Sequence, residues 1–169
     1  SHSVAILSET TMPFDLTRYS TLNNVLRVFS LVIRAIDRWK SLVSNDRISF
    51  TGPISSEEIE NAKLKLITLV QKAFFPAELS ALVERRTLPH YSKLLQLNIC
   101  LDKNGCIISR GRINFDPLIV LPARSHITRL IILDTHISLC HGGVNCTLAE
   151  VRQVYWPIRG RQVVKSTLR

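Results

Sequence analysis

Between Tyr19 and Lys40 the apolar residues Leu22, Val25, Leu26, Phe29, Val32, Ile33, Ile36 and Trp39 recur at steps of three and four, with Arg27, Arg34, Asp37 and Arg38 mostly elsewhere. That period marks one face of an α-helix and predicts an amphipathic helix of about six turns. The period breaks over "SLVSNDRISFTG", and a second helix is announced by a complete start signal. Ser55 is placed to cap, Glu58 to close a capping box, and Ile54 and Ile59 to form a hydrophobic staple. Ile59, Ala62, Leu66, Leu69, Val70 and Ala73 make its apolar stripe, which Pro76 ends. The two stripes predict an antiparallel helical pair, each covering the other.

Near Leu97 the period shortens toward two. "LNICLDKNGCIISRGRI" sets Asn104-Gly105, a short-range hairpin signal, between apolar runs, and "DPLIVLP" reads as a third strand. Three short strands do not make a core alone, so they are expected to pack on a helix. "RSHITRLIILDTHISL", residues 124–139, returns to a helical period that stops at Gly142-Gly143. A final helix is expected from Thr147, capped by a second box of Thr147 with Glu150, with Leu148, Val151, Val154 and Tyr155 as its apolar face and Pro157 interrupting it. "GRQVVKSTLR" reads as the first turns of another helix. Residues 1–18 show no clear period and are expected to be a loose lead-in.

The chain has 169 residues, 46% of them hydrophobic, enough for a core. It shows neither an apolar run of membrane-spanning length nor the pattern of a signal peptide, so an intracellular location is expected. Its only methionine is Met12, consistent with a piece of a longer polypeptide. Charge changes the picture more. Residues 1–90 hold 11 Lys/Arg against 9 Asp/Glu, whereas residues 91–169 hold 11 against 4, which puts +7 of the total +9 in the second half. From Arg152 onward come Arg152, Arg159, Arg161, Lys165 and Arg169 with no acid between them. On charge alone, a nucleic-acid partner and a merely solvated basic face account for this equally.

Candidate chemistry gathers in "HISLCHGGVNC". His136 and His141 have the His-x4-His spacing of half a zinc site. Five residues on a helix do not share a face, but the Gly142-Gly143 ending is expected to let the chain turn His141 back toward His136. Cys100, Cys106, Cys140 and Cys146 nowhere form Cys-x2-Cys. Cys146 is the one further thiol placed to serve as a third ligand. On ligand count alone, two histidines satisfied at a helix end are favoured over a metal, and a small hydrolase zinc on His136, His141 and Cys146 ranks lower still.

The run "LIVLPARSHITRLIILDTHISLCHGGVNCTLAEVRQVYWPIRGRQVVKSTLR" resembles the zinc-binding N-terminal domain of retroelement integrases in the form found in Bel/Pao-type LTR retrotransposons. The matching signature is Leu121-Pro122, His136, "HGG" at His141 to Gly143, Thr147-Leu148, Arg152, Tyr155-Trp156 and Gly160-Arg161. Upstream, residues 18–36, 52–76 and 101–113 are similar, in order, to the segment joining ribonuclease H to integrase in those pol polyproteins. The resemblance implies zinc ligation by His136 and His141, with a Cys-x2-Cys pair a few residues after "VVKSTLR", so that half of the site is missing here. The three catalytic carboxylates of integrase belong to a later domain. Asp102, Asp116, Asp134 and Glu150 are scattered in hairpin, helix and capping positions, so the chain is not expected to be an enzyme.

The expectation is therefore a mainly α chain with a small three-strand β element: a lead-in at 1–18, a helical linker region at 19–90, the β element at 91–122 and a truncated integrase-type zinc-binding domain at 123–169. Its implied role is in DNA integration, by nonspecific DNA binding and self-association. Arg152, Arg159, Arg161 and Lys165 are the candidate phosphate contacts, and zinc is the cofactor of the full-length parent. The alternative is a degenerate or domesticated remnant acting as a protein-interaction module without zinc. Trp39 and Trp156 are read as core residues on helix stripes rather than base-stacking platforms, and His90 and His126 as surface or capping residues.

Overall fold

The computed structural model describes residues 15–44, 52–111 and 116–169. The chain is mainly helical, with a small four-stranded sheet. Most of the expected lead-in, and the break after the first helix, lie outside the described residues. The last lead-in residues are not loose, however. Asp15 accepts from the backbone N–H of Thr17 and starts a 3-10 turn, Leu16–Arg18, which buries Leu16 in the core.

Helix α1 spans Leu22–Ser44 and α2 spans Ser56–Phe74. At the start of α2 both halves of the capping box form: the Ser55 side chain accepts from the Glu58 N–H at 3.2 Å, and Glu58 accepts from the Ser55 N–H at 2.7 Å. Glu58 also takes the Arg34 guanidinium of α1 in a two-pronged ion pair at 2.6 and 2.7 Å. Arg34 further donates to the Gly52 and Pro53 carbonyls, each at 2.9 Å, so one side chain ties α1 to the entry of α2. Leu22, Val25, Leu26 and Phe29 are buried as their period predicts. Past Arg34 the stripe fails: Ile36, Leu42 and Val43 are exposed, and Trp39, expected in the core, is 67% exposed. The first turn of α2, Ser56-Glu57-Glu58, is polar and offers that part of α1 no apolar partner.

Pro76 ends α2 as expected and at once opens a short helix, α3 (Pro76–Val83), because a proline is compatible with the first position of a helix. The two helix axes differ by 104°. No single helix among the described residues is long and apolar enough to cross a membrane.

Strands β1 (Ile99–Leu101) and β2 (Ile107–Ser109) pair antiparallel around the Asn104-Gly105 turn. Gly105 holds φ 73°, the left-handed conformation that a side chain disfavours. Strand β3 (Leu118–Leu121) pairs antiparallel with β2. A fourth strand, β4 (Tyr155–Pro157), joins β3 in parallel, with Ile119 opposite Tyr155 and Val120 opposite Trp156. This corrects two expectations: the sheet has four strands, and Tyr155 and Trp156 lie on a strand, not on a helix stripe. Between β3 and β4 run α4 (His126–Ser138) and α5 (Val144–Val151), and α6 (Gly160–Thr167) follows.

One apolar cluster runs through the helices and one sheet face, from Leu16 and Leu66 to Ile132, Tyr155 and Val164. A smaller cluster of Leu94, Ile107 and Val120 covers the other face. Gln71 of α2, fully buried, ties helix to sheet. Its carboxamide donates to the carbonyls of Ile107 (2.9 Å) and Val120 (2.7 Å) and accepts from the Ile107 N–H (2.7 Å). The last regular β2–β3 pair is Ile108 with Ile119. One step further, where Ile107 faces Val120, the carboxamide stands in for the ladder.

Candidate metal half-site and basic face

Helix α4 carries His136 in its last turn and closes through Leu139. The chain then reverses through Cys140 (φ 50°) and His141 (φ 64°), two successive residues in the left-handed region. The expected turn exists but is made two residues early: Gly143 has φ −62°, and the reversal is carried by non-glycine residues. The His141 N–H donates to the His136 carbonyl at 3.0 Å and the Gly142 N–H to that of Leu139 at 3.1 Å, so the end is closed by backbone bonds.

This reversal brings the two imidazoles together. His141 Nδ1 lies 3.2 Å from His136 Nε2, with ring centroids 5.0 Å apart and ring planes at 71°. His136 Nδ1 lies 2.9 Å from the Gly142 carbonyl oxygen, which only accepts, so Nδ1 carries the proton and Nε2 of the neutral ring presents its lone pair to His141. Thr147, fully buried, donates from its hydroxyl to the same carbonyl at 3.1 Å. The expected Thr147–Glu150 capping box is therefore corrected. Helix α5 starts three residues earlier, at Val144 with Gly143 as its cap, and Thr147 lies inside it, where its hydroxyl fixes the Gly142 carbonyl.

Two zinc–nitrogen bonds of about 2.05 Å at the tetrahedral angle set their nitrogens about 3.3 Å apart. The observed 3.2 Å matches that edge, and without a metal it is a hydrogen bond from His141 Nδ1 to His136 Nε2. The backbone carbonyl on the far nitrogen of His136 is the partner that metal-ligating histidines usually have. These donors fit one pair of a zinc site. No third joins them: among the described residues no group of three or more His, Cys, Asp or Glu side chains is placed to hold a metal. Cys140 and Cys146 are exposed free thiols, Cys100 is half-buried and Cys106 buried, its pKa raised by that burial. The lowest-ranked alternative, a hydrolase site with Cys146 as third ligand, has no support in the geometry among the described residues.

The basic residues occupy both sides of β4. Arg152 caps the C-terminal end of α5, and its guanidinium carbon lies 5.1 Å from the centre of the Trp156 ring. Arg159, at φ 55°, precedes α6, and Arg161 and Lys165 are exposed four residues apart on that helix, a same-face spacing. Gly160 sits in close packing: a Cβ there would lie 2.9 Å from Leu148 Cδ1 and 3.2 Å from Pro157 Cγ, so those side chains would have to shift. His126, expected at the surface or in a cap, instead bonds the distant Tyr19 carbonyl at 2.8 Å, and Ser125 is the cap of α4. His90 is exposed at the rim of a cleft beside Trp156, which its sequence context did not signal. No family model, curated protein or solved structure matches this chain.

Proposed function

We propose that this chain is the linker and first part of an integrase-type zinc-binding module of a retroelement pol polyprotein, acting by nucleic-acid binding and self-association rather than by catalysis. The observation that carries this reading is the imidazole pair, with His136 Nε2 and His141 Nδ1 3.2 Å apart and the His136 ring held by the Gly142 carbonyl. A pair at tetrahedral spacing, oriented through its outer nitrogen, is half of a structural zinc site. Bound there, zinc would pin the left-handed end of α4 to the segment bearing the other two ligands, which the family resemblance locates after Arg169. The basic residues Arg152, Arg159, Arg161 and Lys165 supply phosphate affinity through counterion release, which carries no sequence information.

The test is metal affinity in two versions of the protein, the chain itself and the chain continued with the residues its gene encodes after Arg169. The continued protein should bind one zinc at least a thousandfold more tightly, lose it on His136→Ala or His141→Ala, and give the intense cobalt absorption of a thiolate-containing tetrahedral site. A continuation without a cysteine pair, or zinc binding indifferent to both histidine substitutions, refutes the integrase reading. The chain would then stand as a protein-interaction remnant.

A further inference from the structure

Strand β4 alternates its side chains, so Tyr155 enters the main core while Trp156 points to the opposite face of the sheet. There it borders a cleft of about 480 Å³, whose wall is the segment running from His90 to Leu97. His90, Lys93, Gln96 and Arg159 line the cleft with Trp156, and among the described residues no acidic one does. Behind that wall, Glu78 of α3 is buried and accepts from the Ser92 hydroxyl at 2.7 Å. Lys93 and Arg159 form no ion pair among the described residues. Trp156 is half-buried and already carries the Arg152 guanidinium against its ring.

We infer that this cleft binds an unpaired nucleobase of a single-stranded nucleic acid, stacked against Trp156, with the flanking phosphates on Lys93 and Arg159. The inference rests on the nucleic-acid reading above and narrows it from nonspecific duplex contact to a site for a frayed or single-stranded segment. An indole lining the cleft beside two cations without an ion pair among the described residues, in a concavity within the size range of small-ligand pockets, matches the stacking-plus-phosphate chemistry by which proteins hold single strands. His90 and Gln96 offer hydrogen-bonding groups to a base edge. A phosphate-only ligand would use the cations and leave the aromatic wall without a purpose. Duplex DNA offers a base to a cleft only after unstacking and unpairing it, a cost that a single strand or a frayed end does not bear. The exposed Arg161 and Lys165 on α6 then serve the backbone further along the strand.

Trp39 and Trp156 are the only tryptophans, so a Trp39→Phe protein reports Trp156 fluorescence alone. A twelve-residue oligothymidylate should quench that emission and bind at least tenfold more tightly than an abasic strand of the same length, since stacking contributes a factor of roughly five to over a hundred per base. Lys93→Ala and Arg159→Gly should each weaken oligothymidylate about tenfold. Both residues are exposed, and glycine suits the left-handed backbone at 159, so far-ultraviolet circular dichroism should stay unchanged. Equal binding of oligothymidylate, abasic strand and duplex, without quenching and lost only on Arg161→Ala with Lys165→Ala, overturns the cleft and leaves the nucleic-acid reading standing. Absence of binding to every nucleic acid at low salt overturns both. Quenching by a phosphotyrosine peptide in preference to oligothymidylate assigns the cleft to another ligand and refutes the inference.

Discussion

Replacing Gln71 with methionine tests how helix and sheet are joined. The exchange keeps length and volume but removes all three interior hydrogen bonds, at 2.7, 2.7 and 2.9 Å. Ile107 and Val120 are both fully buried, so water does not reach the groups left behind. The Ile107 N–H has no second partner once the carboxamide is gone, and a buried orphan donor costs about 1 to 3 kcal/mol. The two carbonyls lose one bond each, worth about 1 kcal/mol apiece. The expected loss is about 3 to 5 kcal/mol, a large fraction of the roughly 5 to 15 kcal/mol that keeps a domain folded. At about 2 to 4 °C per kcal/mol for a chain of this size, the melting temperature should fall by about 10 °C. Urea unfolding followed by circular dichroism measures it, with exposed Lys72→Met as the control, expected to stay within about 0.5 kcal/mol of the parent. A Gln71→Met loss below about 1 kcal/mol would mean that the sheet satisfies Ile107 without the carboxamide, and would refute the bridge.

Two further outcomes follow from local geometry. Hydrogen bonds from Arg34 first, then from the Ser55 N–H, hold the Glu58 carboxyl at about 2 against an ordinary 4.5. A depressed carboxylate lends stability that is complete above its unfolded pKa and lost as pH falls through the folded one, so the urea midpoint should drop between pH 4.5 and 2. Glu58→Gln should be less stable at neutral pH and flatter across that window, and an equally steep fall in the variant would place the titration elsewhere. Gly160→Ala should cost about 1 to 3 kcal/mol by overpacking against Leu148 and Pro157. Much of that cost should vanish in a Leu148→Ala background, and strictly additive losses in the double variant would count against the clash.

What the sequence made legible is what depends on neighbours a few residues away. The Ser55–Glu58 box, the Asn104-Gly105 turn and the buried first half of α1 follow from local chemistry and the helical period, and each is present. Features set by distant partners were not legible. Tyr155-Trp156-Pro157 becomes a strand because β3, more than thirty residues earlier, offers an edge, and three residues are too few to show a period of two. Nothing in the sequence singles out Gln71, whose bonds are to residues 36 and 49 positions away. The end of α1 failed for the same reason in reverse: an apolar stripe states what a helix offers, not what stands opposite.

At the end of α4 the left-handed conformation falls on residues other than glycine. A left-handed residue other than glycine costs about 1 to 2 kcal/mol, and the chain has two glycines available at 142 and 143. It nevertheless puts Cys140 and His141 in that conformation and leaves Gly143 in an ordinary one. The strained order is the one that sets His141 Nδ1 at 3.2 Å from His136 Nε2. The Gly142 carbonyl that holds the His136 ring is itself held by Thr147 from the next helix. Left-handed residues other than glycine also stand at Arg85 and Arg159, so the conformation alone marks no function; at the end of α4 its effect is to bring the His136 and His141 rings together.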